Sequence, residues 1–137
     1  ILKNKSVVLI DDSLVRGTTC NKIVRMLYKA GAKKVHVKIA CPEIKYLDFY
    51  GVDMPTKKEL LSSKKSKDEI CNYIGSDTIS FLSLDGLYKA LINDTRNNNY
   101  LQFSDHYFTG EYPIKALDNL GDEKVTQLSL LSSKSNS

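Results

Sequence analysis

The feature that most constrains this chain is an unbroken apolar run that ends in two adjacent carboxylates. Val7-Val8-Leu9-Ile10 is rich in β-branched residues and is followed directly by Asp11 and Asp12. Such a run is typical of a central parallel strand that is covered on both faces. A short polar loop then leads to Gly17-Thr18-Thr19, where a helix is expected to begin. The segment therefore predicts a strand, an acidic pair, a loop and a helix start, in that order.

The residues that follow complete a β-α-β unit. Apolar residues at helical spacing run to Ala30, and Gly31 stands where a left-handed C-terminal cap belongs. Alternation between Val35 and Cys41 predicts a second strand, less deeply buried than the first. Beyond it, patterns predict helices over 56–62 and 66–74, a strand over 78–82, a helix over 84–92 and a disordered tail from about 129. Ser66 and Glu69 are expected to form a capping box for the second of these helices.

These elements predict an α/β fold with an open, mainly parallel sheet and flanking helices. Three strands are few for such a sheet, and the strongest strand lies at the start of the chain. We therefore expect the sheet to be incomplete at its N-terminal side.

Composition narrows the classes of function. The chain has 137 residues and a net charge of +4, which is too mild to indicate nucleic-acid binding. No apolar run is long enough to span a bilayer, and no export signal is visible. Cys20, Cys41 and Cys71 are widely separated, so neither a disulfide framework nor a zinc site is indicated. We expect reduced, partly buried thiols in a cytoplasmic protein that binds neither nucleic acid nor membrane.

The loop after the first strand has the chemistry of a sugar-phosphate site. Ligands of open α/β sheets bind at the carboxyl ends of strands, and phosphates favour helix N-termini. Carboxylates would repel a phosphate, so they need ribose hydroxyls or a hydrated Mg²⁺ on the same ligand. Arg16 is either a phosphate contact or a surface charge. The candidate substrate-binding residues are Asp11, Asp12, Ser13, Leu14, Val15, Arg16, Gly17, Thr18 and Thr19.

The order of apolar strand, acidic pair and Gly-Thr resembles the signature of the type I phosphoribosyltransferases. The segment from Asp11 to Thr19 is similar to the form of this loop in the amidophosphoribosyltransferase family. The resemblance covers roughly residues 5–113, so we assign 1–113 to the C-terminal portion of a phosphoribosyltransferase domain and 114–137 to an extension. The other matching segments are Ala30–Val35, Phe49–Pro55, Glu59–Leu61, Ile74–Asp77, Phe81–Leu87 and Phe108–Pro113.

The resemblance implies a glycosyltransferase of purine biosynthesis. Its members convert phosphoribosyl pyrophosphate and glutamine to 5-phosphoribosylamine, glutamate and pyrophosphate. Asp11 and Asp12 would bind the ribose hydroxyls and Mg²⁺, and the residues from Ser13 to Thr19 would bind the 5-phosphate. The glutaminase domain, its nucleophile and the flexible loop would lie upstream, so no catalytic residue is assigned here and the isolated chain is expected to be inactive. The full-length enzyme is expected to be a homo-oligomer.

Some members of the family bind an iron–sulfur cluster through cysteines. The corresponding regions of this sequence carry Asp48, Leu101, Ser104 and Tyr107 instead. The resemblance therefore implies Mg²⁺ as the cofactor and no cluster.

Two alternatives stay open at the level of sequence. A phospho-receiver signalling domain also ends its first strand in two aspartates, and Asp53 precedes Met54-Pro55 as a phosphorylated aspartate often does. A regulatory paralogue would bind the substrate without performing chemistry. His36 and His106 are interpreted as surface histidines.

Overall fold

A computed structural model describes residues 1–50, 56–97 and 99–113. Its strands and helices alternate in the first part of the chain, as the sequence predicts. The strands are β1 (Ser6–Asp11), β2 (Lys34–Ile39) and β3 (Thr78–Phe81). The helices are α1 (Thr18–Lys29), α2 (Lys67–Ile74), α3 (Leu84–Ile92) and α4 (His106–Thr109).

The strands form a parallel sheet in the order β1-β2-β3. The parallel α/β architecture is confirmed, but the predicted burial of the strands is wrong. Val8 and Ile10 are 58% and 71% exposed, because they alternate with the core-facing Val7 and Leu9 and lie on the opposite face of the sheet. Val35 and Val37 on β2 are fully buried, since they lie on the face of the sheet that α1 and α2 cover.

The hydrophobic core lies between one face of the sheet and the helices α1 and α2. Val24 of α1 packs with Ile70 and Ile74 of α2 against the buried valines of β2. In the register of the sheet, Asp11 is paired with Ile39. Packing on this face therefore holds the beginning of α1 close to the carboxyl end of β1.

The segment between β2 and α2 departs from its prediction. Two 3-10 turns, Lys57–Glu59 and Leu61–Ser63, replace the helix predicted over 56–62. Leu60 between them is extended and fully buried, so its insertion into the core interrupts the helix. The helix predicted over 66–74 is confirmed, with the Ser66 capping box and a left-handed Gly75 at its end.

A buried polar group, which we call the Asp105 cluster, joins α3 to the segments that follow it. The Asp105 carboxylate accepts hydrogen bonds from Tyr88 Oη at 2.7 Å and Arg96 Nε at 2.6 Å. Thr109 Oγ1 donates to its other oxygen at 3.2 Å. Burial opposes ionisation of Asp105, but these hydrogen bonds outweigh it and lower the pKa of the carboxyl group. The cluster is thus held in its charged form.

The prediction that His106 lies on the surface is wrong. Its side chain is 1% exposed, and its Nε2 lies 2.8 Å from Asp48 Oδ1. Burial, and then the charge and hydrogen bond of Asp48, raise the pKa of Tyr107.

None of the helices in the described ranges combines the length and apolar character that a membrane crossing requires.

Candidate functional site

The two predicted carboxylates lie at the carboxyl end of β1. Asp11 is the last residue of the strand and Asp12 follows it. Asp12 N–H donates to Asp11 Oδ1 at 3.1 Å, and Ser13 N–H donates to Asp12 Oδ1 at 2.6 Å. These contacts involve one oxygen of each carboxylate, and the described residues offer no partner to either Oδ2. Each carboxylate therefore keeps an acceptor for a ligand.

The predicted loop surrounds a cavity of about 370 Å³. Every candidate residue from Asp11 to Thr19 lines it, together with Cys20. The carboxylates lie on the strand side of this cavity and the threonines on the helix side. The structure therefore brings together all the residues that the sequence indicated.

The beginning of α1 supplies the positive side of the site. No side chain in the described part of the chain caps this helix, and its first turn contains no acidic residue. Asn21 N–H donates to Gly17 O at 2.9 Å, so the N–H groups of Thr18, Thr19 and Cys20 precede the first intrahelical bond. Free N–H groups and the helix dipole attract an anion at this position. The end of α1 nearest the carboxylates is thus suited to a phosphate.

Gly17 is required by the backbone conformation of the loop and by the close packing of the side chains behind it. Its φ of 72° lies in the left-handed region, which residues with a Cβ rarely adopt. A Cβ at this position would lie 2.8 Å from Leu61 Cδ2 and 3.0 Å from Ile74 Cδ1. The close approach made possible by the glycine is therefore to the side chains behind the loop.

Arg16 lines the cavity and also forms an ion pair that the sequence did not indicate. Its Nε lies 3.0 Å from Glu59 Oε1, and both side chains are substantially exposed. Glu59 is itself held by Thr56, whose N–H and hydroxyl donate to Oε2. The hydrogen bond from the Thr56 backbone, with further help from Arg16, lowers the pKa of Glu59. Arg16 is thus both a cavity residue and a surface charge.

Cys20 forms part of the cavity wall but has no nucleophilic character. Its side chain is 1% exposed. Burial, and then the negative charge of Asp11, raise the pKa of its thiol to about 11. The thiol is therefore neutral near pH 7, as expected for a structural cysteine.

The donor set of the loop fits Mg²⁺. Asp11 and Asp12 offer carboxylate oxygens, the hard ligands that this ion prefers. Mg²⁺ usually takes one or two protein carboxylates and completes its shell with water and substrate phosphate oxygens. Within residues 1–50, 56–97 and 99–113, no group of three or more His, Cys, Asp or Glu residues could hold a metal.

Two other predicted positions stand apart from this site. Asp53, the candidate phosphorylation site of a receiver domain, lies outside the described residues. Asp48 and Tyr107 take the place of the cysteines that bind an iron–sulfur cluster in some members of the family. Their side chains form a hydrogen bond, and Asp48 also contacts His106. They belong to the buried polar packing near α4.

Comparisons with known proteins agree on one family. No family model matches the chain. An amidophosphoribosyltransferase of Rhizobium etli is 47% identical over 134 residues, which cover 97% of this chain and 27% of the relative. A chloroplastic amidophosphoribosyltransferase of Arabidopsis thaliana is 49% identical over 87% of the chain and 20% of its own length. A Staphylococcus aureus amidophosphoribosyltransferase is 46% identical over 86% of the chain and 24% of its own length.

A solved structure gives the same result. Glutamine phosphoribosylpyrophosphate amidotransferase from B. subtilis, complexed with ADP and GMP, superposes with a TM-score of 0.74 at 47% identity. The match covers 82% of this chain and 25% of that one. The chain spans about a quarter of the length of these relatives. It belongs to the amidophosphoribosyltransferase family and matches the C-terminal phosphoribosyltransferase part of these enzymes.

Proposed function

We propose that this chain supplies the ribose 5-phosphate and Mg²⁺ site of an amidophosphoribosyltransferase. The enzyme would convert phosphoribosyl pyrophosphate and glutamine to 5-phosphoribosylamine, glutamate and pyrophosphate in purine biosynthesis. Asp11 and Asp12 would accept hydrogen bonds from the ribose hydroxyls and ligate Mg²⁺. The backbone N–H groups and hydroxyls from Ser13 to Thr19 would bind the 5-phosphate.

One observation carries this proposal. The same cavity of about 370 Å³ has two carboxylates with free oxygens on one side and an uncapped helix N-terminus on the other. A simple phosphate needs only the second feature, and a simple metal site needs only the first. A sugar phosphate with vicinal hydroxyls uses both at once.

The residues of the chain act mainly by positioning. Displacement of pyrophosphate at C1 gives a transition state with oxocarbenium character, so accurate placement of the ribose relative to the nucleophile lowers the barrier. Carboxylates that hold the ribose hydroxyls and helix N–H groups that hold the 5-phosphate fix the sugar at both ends. When bound, Mg²⁺ neutralises charge on the departing pyrophosphate.

Properties of a whole enzyme belong to the same proposal. They comprise glutamine hydrolysis by an upstream glutaminase domain, assembly into a homo-oligomer and a cytoplasmic location. The Arabidopsis relative is described as chloroplastic, so location is the property on which family members differ. A regulatory paralogue would use the same cavity for binding alone.

A titration followed by NMR tests the proposal on the ¹⁵N-labelled chain. Ribose 5-phosphate with Mg²⁺ should shift the amides from Ser13 to Thr19, with an affinity on the order of millimolar, or about −4 kcal/mol. The double variant Asp11→Asn with Asp12→Asn should lose preference for ribose 5-phosphate over inorganic phosphate. A receiver domain would instead respond to beryllofluoride with Mg²⁺ near Asp53. Unmoved loop amides at tens of millimolar ribose 5-phosphate in a folded sample would refute the proposal.

A further inference from the structure

Asn21 connects the candidate phosphate loop to a second helix. It lies in the first turn of α1, and its backbone N–H donates to Gly17 O at 2.9 Å. Its side-chain Nδ2 donates to Tyr73 O at 2.8 Å and to Ile74 O at 3.1 Å. The same residue therefore contacts the loop glycine through its backbone and the end of α2 through its amide.

These two carbonyls lie at the C-terminus of α2, where no intrahelical donor is available to the last carbonyl groups. The left-handed Gly75 that follows directs its own N–H to Cys71 O at 2.9 Å, and Ser76 N–H donates to the same oxygen at 3.3 Å. The amide of Asn21 thus supplies a cap for α2 that comes from a different helix.

Other contacts hold the loop against the same surface. Leu61 N–H donates to Val15 O at 2.9 Å. Gly17 packs so closely that a Cβ would meet Leu61 and Ile74. Ile74 is fully buried in the core. The surface behind the loop is therefore fixed, and the loop takes its position from it.

We propose that Asn21 is a positioning residue for phosphate binding, an inference that rests on the proposed function. By fixing the first turn of α1 on the end of α2, its amide sets the direction of the free N–H groups of Thr18 and Thr19. Preorganised donors bind more tightly than donors that must be ordered when the ligand arrives. The Asn21 side chain lies behind the loop and is not among the residues that line the cavity.

The test compares Asn21→Leu with Asn72→Leu in the ¹⁵N-labelled chain. Leucine has the same branching as asparagine, with two methyl groups in place of the amide oxygen and nitrogen. It favours helix and cannot donate a hydrogen bond. Asn72 is an exposed residue of α2 for which the described residues provide no hydrogen-bond partner. Asn21→Gln keeps an amide donor on a longer side chain. The ligand is ribose 5-phosphate with Mg²⁺, and the readouts are its Kd from the loop amides and the melting temperature of each variant.

Asn21→Leu should raise the Kd by about three- to tenfold, the effect of losing one or two neutral hydrogen bonds. Its melting temperature should fall slightly, because water can replace the donor at the exposed Tyr73 O, whereas Ile74 O is partly buried. Asn72→Leu should leave the Kd unchanged, and Asn21→Gln should recover most of the affinity. A lower melting temperature with a Kd within twofold of wild type would overturn the inference while leaving the proposed function intact. A wild-type chain that does not bind ribose 5-phosphate would overturn both.

Discussion

The candidate site and the Asp105 cluster use polar residues in opposite ways. The site is contiguous in sequence, and its carboxylates and helix N–H groups keep hydrogen-bonding capacity that faces a cavity. The Asp105 cluster brings together Tyr88, Arg96 and Thr109 from separate segments and buries the carboxylate to 3% exposure. Unsatisfied groups at a surface can bind a ligand, whereas satisfied groups in the interior fix the packing of the chain.

This contrast predicts that the two regions respond differently to loss of a carboxylate. Asp105→Ala should lower the free energy of unfolding by about 3 kcal/mol, because Tyr88, Arg96 and Thr109 lose the buried acceptor that they share. Glu111 still pairs with Arg96 in this variant. Ribose 5-phosphate should still bind to the variant under conditions in which it is folded. Urea unfolding measures the first effect and an NMR titration the second.

Asp94→Ala is the control for this comparison. Asp94 is exposed and accepts a hydrogen bond from its neighbour Thr95, so its loss should change stability by no more than about 0.5 kcal/mol. Equal destabilisation by the two alanine variants would show that burial of the Asp105 cluster has no energetic importance.

Two glycines with left-handed backbone conformations test how tightly the loop packs against α2. Gly75 has a φ of 79° and no atom within 4 Å of the place that a Cβ would occupy, whereas Gly17 has a φ of 72° and close neighbours. Gly75→Ala should cost about 1–2 kcal/mol from backbone strain alone. Gly17→Ala should cost about 2–3 kcal/mol, since overpacking against Leu61 and Ile74 is added, and should abolish ribose 5-phosphate binding.

Urea unfolding and the NMR titration again provide the measurements. Equal costs for the two glycine variants would contradict the idea that the loop rests tightly on α2. Preserved binding in a folded Gly17→Ala variant would show that the loop tolerates a different backbone conformation.

The dependence of the unfolding free energy on pH in the acid range tests the contribution of the Asp105 charge. Its pKa in the folded protein lies below the ordinary value of 3.8, since the hydrogen bonds from Arg96, Tyr88 and Thr109 outweigh the effect of burial. The resulting stabilisation is present above pH about 4 and is lost as pH falls through the folded pKa. Asp105→Asn should therefore have a flatter dependence of unfolding free energy on pH between about 5 and 2 than wild type or Asp94→Asn. Parallel curves for all three proteins would contradict this assignment.

The comparison also explains which features the sequence could predict. The loop was predictable because its residues are consecutive in the sequence. The strand end, the acidic pair and the helix start therefore form one continuous pattern. The same locality predicted the Ser66 capping box and the end of α2 at Gly75. The contacts of Asn21 with α2 and of Glu59 with Arg16 were missed because the partners lie in distant segments.

Burial was harder to predict than secondary structure. The apolar run of β1 suggested a strand covered on both faces, but Val8 and Ile10 lie on the face opposite α1 and α2 and are exposed. His106 is buried because Asp48, 58 residues away, lies beside its ring. Leu60 interrupts a predicted helix because its backbone is extended and its side chain is buried. In each case tertiary packing overrode the expectation from the local pattern.

The smallest effect is expected at Arg16, a cavity residue that already has an ion-pair partner. Arg16 lines the cavity yet is paired with the exposed Glu59, so Glu59 offsets part of its charge and solvent screens the rest. Arg16→Ala should raise the Kd for ribose 5-phosphate about threefold, as expected for an exposed charge worth about 0.3–1 kcal/mol near a helix N-terminus. Raising the salt concentration should narrow the difference from wild type, because salt screens exposed charges. Arg25→Ala removes the same charge from an exposed position further along α1 and should leave the Kd unchanged. If both variants weaken binding equally, net charge rather than the place of Arg16 in the loop explains the effect.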